Sequence, residues 1–336
     1  MKIDIVYLWV DGSDKEWQAK KDVALAQIGR PNKKSSVAAH RWQDNNELKY
    51  SLRSVEKFAP WINHIYIVTD NQKPKWLADH PKVSIIDHKE VMPAKYLPAF
   101  NSVQIEFNIY NIPNLSEHFI YANDDMFFGQ PVSKDFFFDI AGNPIVIMKR
   151  RNNRRTFKNQ ASWGNWKNTK KNALRLVLEK FGIKYNVSFK HAIEPFRKSY
   201  MKEIAEKFHD EIVVPTMTPF RAKSNVQRMV FPMIDNALGR NRIVLNWRDG
   251  AERIDYKARS DSWLYRIWYS LRWFTATVFG YIKYDCFDKQ TGIIYWVRKY
   301  KPLMFAINDS SGKHNKFSKA GKLMYEMFPN KSQFEK

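Results

Sequence analysis

The sequence predicts an α/β fold, a mostly parallel sheet with flanking helices and further helical additions toward the C-terminus. Three observations carry that expectation. Short runs rich in β-branched and aromatic residues alternate with helix-period segments over the first 140 residues, the pattern of strand–helix–strand units. Three of those runs stop at acidic turn clusters, at Asp11, Asp70 and Asp124/Asp125. The composition, 44% apolar and 15% aromatic over 336 residues, supplies a sizeable core and excludes a disordered, collagenous or disulfide-stapled chain.

Ile3 to Val10 reads as a buried first strand, with Asp4 inside it, ending at the turn Asp11-Gly12-Ser13-Asp14. Asn45 to Phe58 carries Leu48, Leu52 and Val55 at helical spacing and stops at Ala59-Pro60. A strand follows from Ile65 to Val68, running into Thr69-Asp70-Asn71. Val83 to Ile86 is a short strand, Ser102 to Tyr110 a helix, and Phe119 to Ala122 a strand running into Asn123-Asp124-Asp125. Ligands of open α/β sheets bind beyond the carboxyl ends of the strands, so this first part reads as a nucleotide-type domain. Farther on, helices are expected near Leu174–Phe181, Met201–Phe208 and Val226–Leu238.

With 56 Lys and Arg against 34 Asp and Glu, the formal charge of +22 favours polyanionic partners: nucleic acid, anionic lipid or a phosphorylated substrate. No helix-turn-helix, zinc-finger or RNA-binding signature accompanies the charge, so nucleic acid is not the expected partner. The single cysteine, Cys286, fits a reducing compartment, and the N-terminus has no signal-peptide pattern; together they predict a cytoplasmic location.

Ten basic residues and no acidic one lie between Lys149 and Arg175, interleaved with Phe157, Trp163 and Trp166. The run suits a solvated loop as well as an anion-binding surface. Trp263 to Ile282 is the most apolar stretch. Its longest uncharged run, Trp273 to Ile282, is about half the roughly 20 residues of a spanning helix, and Arg272 precedes it. On a helical wheel Leu264, Ile267, Trp268, Leu271, Phe274, Val278 and Ile282 share one face, which suits either a bilayer interface or a core.

For chemistry, Asp124 and Asp125 at a strand end can hold a hard divalent cation that bridges a diphosphate, although paired acids in turns also act as caps. Asp11 and Asp14 can orient a ribose or a metal, with Gly12 allowing close backbone approach, or can form an ordinary strand-to-helix turn. His191 and Arg221 are candidates for general base and phosphate clamp, roles that compete with purely structural ones.

Together the segments resemble a known family. Ile3-Asp4-Ile5-Val6-Tyr7-Leu8-Trp9-Val10-Asp11-Gly12-Ser13-Asp14 is similar to the first signature of the Stealth proteins, the capsular polysaccharide phosphotransferases related to the lysosomal-enzyme GlcNAc-1-phosphotransferase. The longer second signature is matched by Arg41-Trp42-Gln43-Asp44-Asn45-Asn46-Glu47-Leu48-Lys49-Tyr50-Ser51-Leu52-Arg53-Ser54, by Ile65 to Gln72, by Leu97 to Ser102 and by Leu115 to Asp125. A third resembles His191, Pro195 and Arg221, and a fourth Ala306-Ile307-Asn308-Asp309. One departure is clear: where the family continues from the arginine toward an acid, this chain reads Ala222-Lys223-Ser224-Asn225-Val226.

The resemblance implies a nucleotide-sugar (GT-A-like) architecture, with residues 1–140 binding the nucleotide sugar and 141–336 completing the site and receiving the acceptor, either as two parts or as one continuous catalytic domain. It implies a phosphotransferase that moves a sugar 1-phosphate from a UDP-sugar to a glycan hydroxyl, releasing UMP, with Mg²⁺ or Mn²⁺ as cofactor. His191, Arg221, Asp124 and Asp11 are then the expected catalytic residues, and Asp124, Asp125 and Asp309 the expected metal ligands. Substrate binding is expected from Asp11, Gly12, Ser13, Arg41, Asp44, Asn45, Arg53, Asp70, Asn101 and Asn123. A lipid-linked acceptor at the inner face of the cell membrane would place the enzyme there peripherally. Without the resemblance, the same acids fit a metal-dependent glycosyltransferase releasing UDP, and the charge alone fits a polyanion-binding protein without activity.

Overall fold

The computed structural model describes residues 1–28, 37–150, 153, 165–189, 191–245, 279–284, 291–309 and 319–336. Ile3–Leu8 (β1), Ile65–Thr69 (β2), Val83–Asp87 (β3) and His118–Asn123 (β4) form the expected parallel sheet, and Glu194–Arg197 (β8) adds an antiparallel edge, in the order β3-β2-β1-β4-β8. Ile5 of β1 lies opposite Ile65 of β2, and Ile3 opposite His118 of β4. Asp4 is tolerated inside β1 because both its oxygens are satisfied, by Asn63 Nδ2 and by the Ser116 backbone N–H, each at 2.7 Å.

Strand residues point alternately to the two faces, and both faces are covered. Val6, Tyr66, Val68, Phe119 and Tyr121 point into a core shared with Ser102–Glu106 (α4), Asn165–Phe181 (α5), Lys198–Lys207 (α6) and Val230–Ala237 (α7). Ile3, Ile5, Tyr7, Ile65, Ile67 and Ile120 point the other way, against Leu48, Leu52 and Val55 of Glu47–Phe58 (α2), the three apolar positions whose spacing predicts that helix. Truncating wholly buried leucines such as Leu48 or Leu52 to alanine costs about 2–5 kcal/mol each. Lys15–Ile28 (α1) follows the first strand, and His88–Val91 (α3) follows β3.

Two smaller sheets complete the molecule. Met126–Phe128 (β5) pairs antiparallel with Met304–Asp309 (β11), which pairs parallel with Phe279–Tyr284 (β10). Ile145–Arg150 (β6) lies between Val187–Phe189 (β7) and Arg242–Leu245 (β9). β10 corrects the sequence reading of Trp263–Ile282: residues 279–282 are strand, not the end of an amphipathic helix. A run of aromatic and β-branched residues is ambiguous between the two periods, and here pairing with β11 decides it. Residues 263–278 lie outside the described residues, as do 151–152 and 154–164 of the basic run. No helix among the described residues is long and apolar enough to cross a membrane.

After Thr291–Tyr300 (α8) and Lys319–Met327 (α9), the C-terminal segment returns to α2. Arg53 Nε and Nη2 donate to the two oxygens of Glu335, both at 2.7 Å, and Nη1 donates to the Phe328 carbonyl at 2.7 Å. The Ala78 and Lys336 backbone N–H groups bond to the Phe334 and Trp76 carbonyls, and the Phe334 ring joins the α2 core.

Candidate active site

The carboxyl ends of β2, β1 and β4 stand side by side with the segment leading into β8, so the strand order sets out Asp70, Asp11, Asp124/Asp125 and His191 in sequence across one edge. Asp124 and Asp125 occupy the tight turn between β4 and β5. The turn is tied down by the Ile307 N–H, which donates to the Asp125 carbonyl at 2.8 Å. Burial, then the neighbouring charges of Asp125, Glu47 and Asp44, push the Asp124 carboxyl well above the usual carboxylate range.

Glu47, buried in the first turn of α2, is raised to about 7, chiefly by burial and against the bonds it accepts from Asn45 N (2.6 Å) and Nδ2 (2.9 Å). Asp44 is likewise raised by burial, with the Asp11 charge adding to it. An otherwise strongly cationic protein thus concentrates Asp11, Asp44, Glu47, Asp124 and Asp125 where their charges oppose one another. Such mutual repulsion is relieved by a bound cation.

The donor set suits Mg²⁺ or Mn²⁺ in one respect: these hard ions take oxygen ligands, and Mg²⁺ is commonly held by one or two carboxylates with waters and substrate phosphates filling the rest. Asp124 and Asp125 would be those carboxylates. Among the described residues no three His, Cys, Asp or Glu side chains form a ready metal cage. Asp309 closes β11 opposite Tyr284, but its side chain lies outside the described residues.

His191, just ahead of β8, reaches Asp125: Nε2 lies 3.2 Å from Oδ2 and 3.3 Å from Oδ1. With Nε2–H donating to the carboxylate, the basic lone pair of the imidazole is on Nδ1. Two of the expected site residues, distant in sequence, are therefore in direct contact.

At the end of β1, Ser13 N and Oγ donate to Asp11 Oδ1 at 2.9 and 2.6 Å, and Gln72 brackets the Asp11 backbone, accepting from its N–H and donating to its carbonyl, each at 3.0 Å. Gly12 is required by close approach: its N–H bonds to the Trp42 carbonyl, and a Cβ there would collide with that carbonyl. Asp14 accepts from Trp17 N at the start of α1. Asp70 Oδ1 takes Lys20 Nζ at 3.1 Å, while buried Oδ2 has no partner among the described residues. His88 beside it is lowered to about 4 by burial, against the charges of Asp70 and Asp87.

Arg41 lies in the helical turn Ala39–Trp42, its Nε buried without a hydrogen-bond partner among the described residues. Arg221 donates from Nη2 to Ser102 Oγ at 3.2 Å and lies with Cζ 4.8 Å from the ring of Trp166. Burial first, and the Arg41 charge second, lower Arg221 to about 9. Two desolvated guanidiniums that repel each other mark a place where an anion binds favourably. A small aromatic cluster of Trp17, Trp42, Phe100 and Phe220 joins the Gly12 turn to the Arg221 loop, with Phe100 stacked on Phe220 at 5.2 Å. Asn225, within the Ala222–Val226 stretch, braces that loop: its Oδ1 accepts from Asn101 Nδ2 and Ala222 N, each at 2.9 Å.

The remaining expected substrate residues divide. Asp44, Asn45 and Asn123 belong to the acidic end of the sheet, whereas Asn101 caps α4 and braces the 215–225 loop. Arg53 is the one the structure places elsewhere, its guanidinium taken up by Glu335 and Phe328.

A network that sequence reasoning missed lies beneath the turn. Buried Arg228 donates to Glu106 Oε1 (2.8 Å) and Glu194 Oε2 (2.9 Å), with its guanidinium 4.4 Å from the Tyr121 ring. The Tyr121 hydroxyl lies 3.1 Å from Glu106 Oε1 and 2.7 Å from Asn123 Oδ1, next to Asp124. No local signal announces these four, since Glu106 and Arg228 are 122 positions apart.

Comparison with known proteins bears on what this arrangement does. The family model for Stealth protein conserved region 1 matches residues 1–29, and that for conserved region 2 matches residues 41–146. The chain is 38% identical over 235 residues to the capsular polysaccharide phosphotransferase LcbA of Neisseria meningitidis, covering 68% of this chain and 63% of that protein. It is 37% identical over 234 residues to the capsular polysaccharide phosphotransferase fcs1 of Haemophilus influenzae, with the same coverage. To the exopolysaccharide phosphotransferase CpsY of Mycobacterium tuberculosis it is 38% identical over 229 residues, covering 67% of this chain and 42% of that protein. The chain thus spans less than two thirds of the length of these relatives. The solved galactosyltransferase LgtC overlays 98% of this chain and 96% of its own at 10% identity with a TM-score of 0.44, too loosely to assign chemistry.

Proposed function

This chain belongs to the Stealth family, and on that premise we propose that it transfers a sugar 1-phosphate from a UDP-sugar to a hydroxyl of a glycan acceptor, releasing UMP, in the synthesis of a capsular or other surface polysaccharide. The observation that carries the reading is the contact of His191 with Asp125, at the acidic end of the sheet. A proton acceptor there adjoins a phosphate-binding cation site.

In this reaction the acceptor oxygen attacks the phosphorus that bears the sugar, the bond to the UMP oxygen breaks, and the acceptor proton is taken up by a base. Such transfer asks the protein mainly for positioning and charge neutralisation. The Asp11–Gly12–Ser13 turn and Asp70 lie on the nucleotide side. Arg41 and Arg221 oppose the charge of the diphosphate, and His191, its Nε2–H fixed on Asp125, receives the acceptor proton at Nδ1. Mg²⁺ or Mn²⁺ held by Asp124 and Asp125 supplies further neutralisation of the donor phosphates when bound.

The test is the nucleotide released. Incubation with UDP-sugars and oligosaccharide acceptors should yield UMP and a phosphodiester-linked product; release of UDP would make the enzyme an ordinary glycosyltransferase with the same acids in use. We also infer a cytoplasmic enzyme that meets a lipid-linked acceptor at an anionic membrane surface, where each Lys or Arg adds about 1 kcal/mol of attraction. Salt-sensitive binding to anionic liposomes supports that location, and indifference to them at low salt removes it.

A further inference from the structure

Trp166 is 47% exposed near the start of α5, although an indole is among the side chains that gain most from burial. Scattered exposed apolar residues need no explanation. Trp166 differs from Val23, Ile140 or Leu238 in its neighbour: the Arg221 guanidinium lies 4.8 Å from its ring centre. The helix that carries it is also firmly placed. Asn172, on the same helix, donates from Nδ2 to the carbonyls of Lys223, Ser224 and Asn225 at 2.9, 3.1 and 2.9 Å, so α5 is stitched to the loop that follows Arg221. The Gln227 N–H adds a bond to the Thr169 carbonyl at 3.0 Å, and Ala173, Leu174 and Val177 anchor the helix in the core.

We propose that the exposed surface of Trp166 is a stacking platform for a pyranose ring of the reacting pair, set beside the phosphate that Arg221 and Arg41 oppose. This rests on the transferase reading above. A pyranose presents a face of C–H bonds, weakly positive at hydrogen, to the negative face of an indole, while its hydroxyls remain at the rim in water. A hexose 1-phosphate therefore calls for an aromatic surface close to a guanidinium, and the Trp166–Arg221 pair supplies both, with Arg221 over one part of the ring and nearly half of the Trp166 surface left exposed. Arg221 holds the indole in a fixed orientation through the cation–π contact and is itself held by Ser102 Oγ. Two rings border the reacting phosphorus, the donor hexose and the acceptor sugar, and both offer this chemistry.

Titration calorimetry and saturation-transfer NMR with UDP, UDP-glucose, UDP-N-acetylglucosamine and methyl hexopyranosides, on the full chain with Mg²⁺, separate the two sources. Trp166→Ala should bind a sugar-bearing probe about tenfold more weakly, equivalent to ~1.4 kcal/mol, and UDP unchanged; Trp166→Tyr should recover part of the loss. A loss confined to nucleotide sugars assigns the platform to the donor, and one confined to methyl glycosides assigns it to the acceptor. Unchanged binding of every probe overturns the platform, as does an equal loss for UDP, which would mean that the base stacks there. A wild-type chain that binds neither UDP nor any sugar overturns the transferase reading and the platform with it.

Discussion

Replacing Arg228 by methionine tests whether the network beneath the Asp124–Asp125 turn holds charge as the geometry indicates. In the wild type, burial works against the Arg228 charge, but Glu106 and Glu194 more than offset it and hold the guanidinium above its usual range. All three side chains are less than a tenth exposed. Methionine keeps the volume and strands two buried carboxylates. Removing one partner of a buried ion pair costs about 3–5 kcal/mol. A second route gives a similar figure: neutralising one carboxyl with an ordinary pKa near 4.3 costs about 1.4 kcal/mol per pH unit, hence ~4 kcal/mol at pH 7.

The sign of the pH dependence follows. Burial already pushes the Glu194 carboxyl up against the opposing Arg228 charge, and without that charge its stability contribution is intact below the unfolded value and is lost as pH rises. The deficit relative to wild type should thus grow from about 2 kcal/mol at pH 5.5 to ~4 kcal/mol at pH 7 as one carboxyl takes a proton. Urea unfolding followed by tryptophan fluorescence at pH 5.5, 6.5 and 7.5 reads this directly. A deficit below about 1 kcal/mol at pH 7.5, or one that does not change with pH, would refute the reasoning. Adding Glu106→Gln and Glu194→Gln should restore much of the loss, because whole buried charge networks are often replaceable.

Three further outcomes are expected. Chelation should abolish turnover and Asp124→Ala should reduce it severely, with measurement of UMP release in graded Mg²⁺ as the check; full activity of Asp124→Ala in excess chelator excludes the metal role. His191→Ala and Arg221→Lys should each lower kcat by ten-fold or more (on the order of 10²-fold for a lost general base) while melting temperatures stay near wild type, since Lys cannot reproduce the guanidinium fork. Glu47, raised to about 7, loses its stabilising contribution as pH rises from the ordinary carboxyl value to about 7, so in chelator Glu47→Gln should gain on wild type between pH 4.5 and 8, by up to roughly 3 kcal/mol in urea titrations, and a flat difference over that window would show that Glu47 is already compensated.

The parallel sheet was legible because each strand is a short apolar run with its own stop. β1, β2 and β4 end at Asp11, Asp70 and Asp124, and α2 shows Leu48, Leu52 and Val55 at the right period. Proximity of Asp124 to Asp125 follows from adjacency in the chain, and the resemblance brought in His191, now found 3.2 Å from Asp125. What stayed hidden depends on pairings across long separations. Arg53 sits in a family signature and looks like a substrate ligand, yet its partner is Glu335, 282 positions away. Glu106 closes α4 and Arg228 lies in the turn just before α7, positions where charged residues ordinarily face water, and only the packing of α4, α7 and β8 together reveals that they are buried. The aromatic run ending at Ile282 fits helix and strand alike until β11 is present to pair with β10.

The return of residues 328–336 to α2 has a consequence for the order in which these parts form during synthesis. Arg53 leaves the exit tunnel 282 residues before Glu335 does, an interval of roughly 15–60 s at the usual ~5–20 residues per second. Throughout it the first strands and α2 exist with an uncompensated guanidinium and an open seat for the Phe334 ring. The nascent sheet therefore waits, incompletely sealed, for the segment that closes it, and nascent chains stalled before residue 330 should be far more sensitive to protease at α2 than chains in which residues 328–336 have emerged.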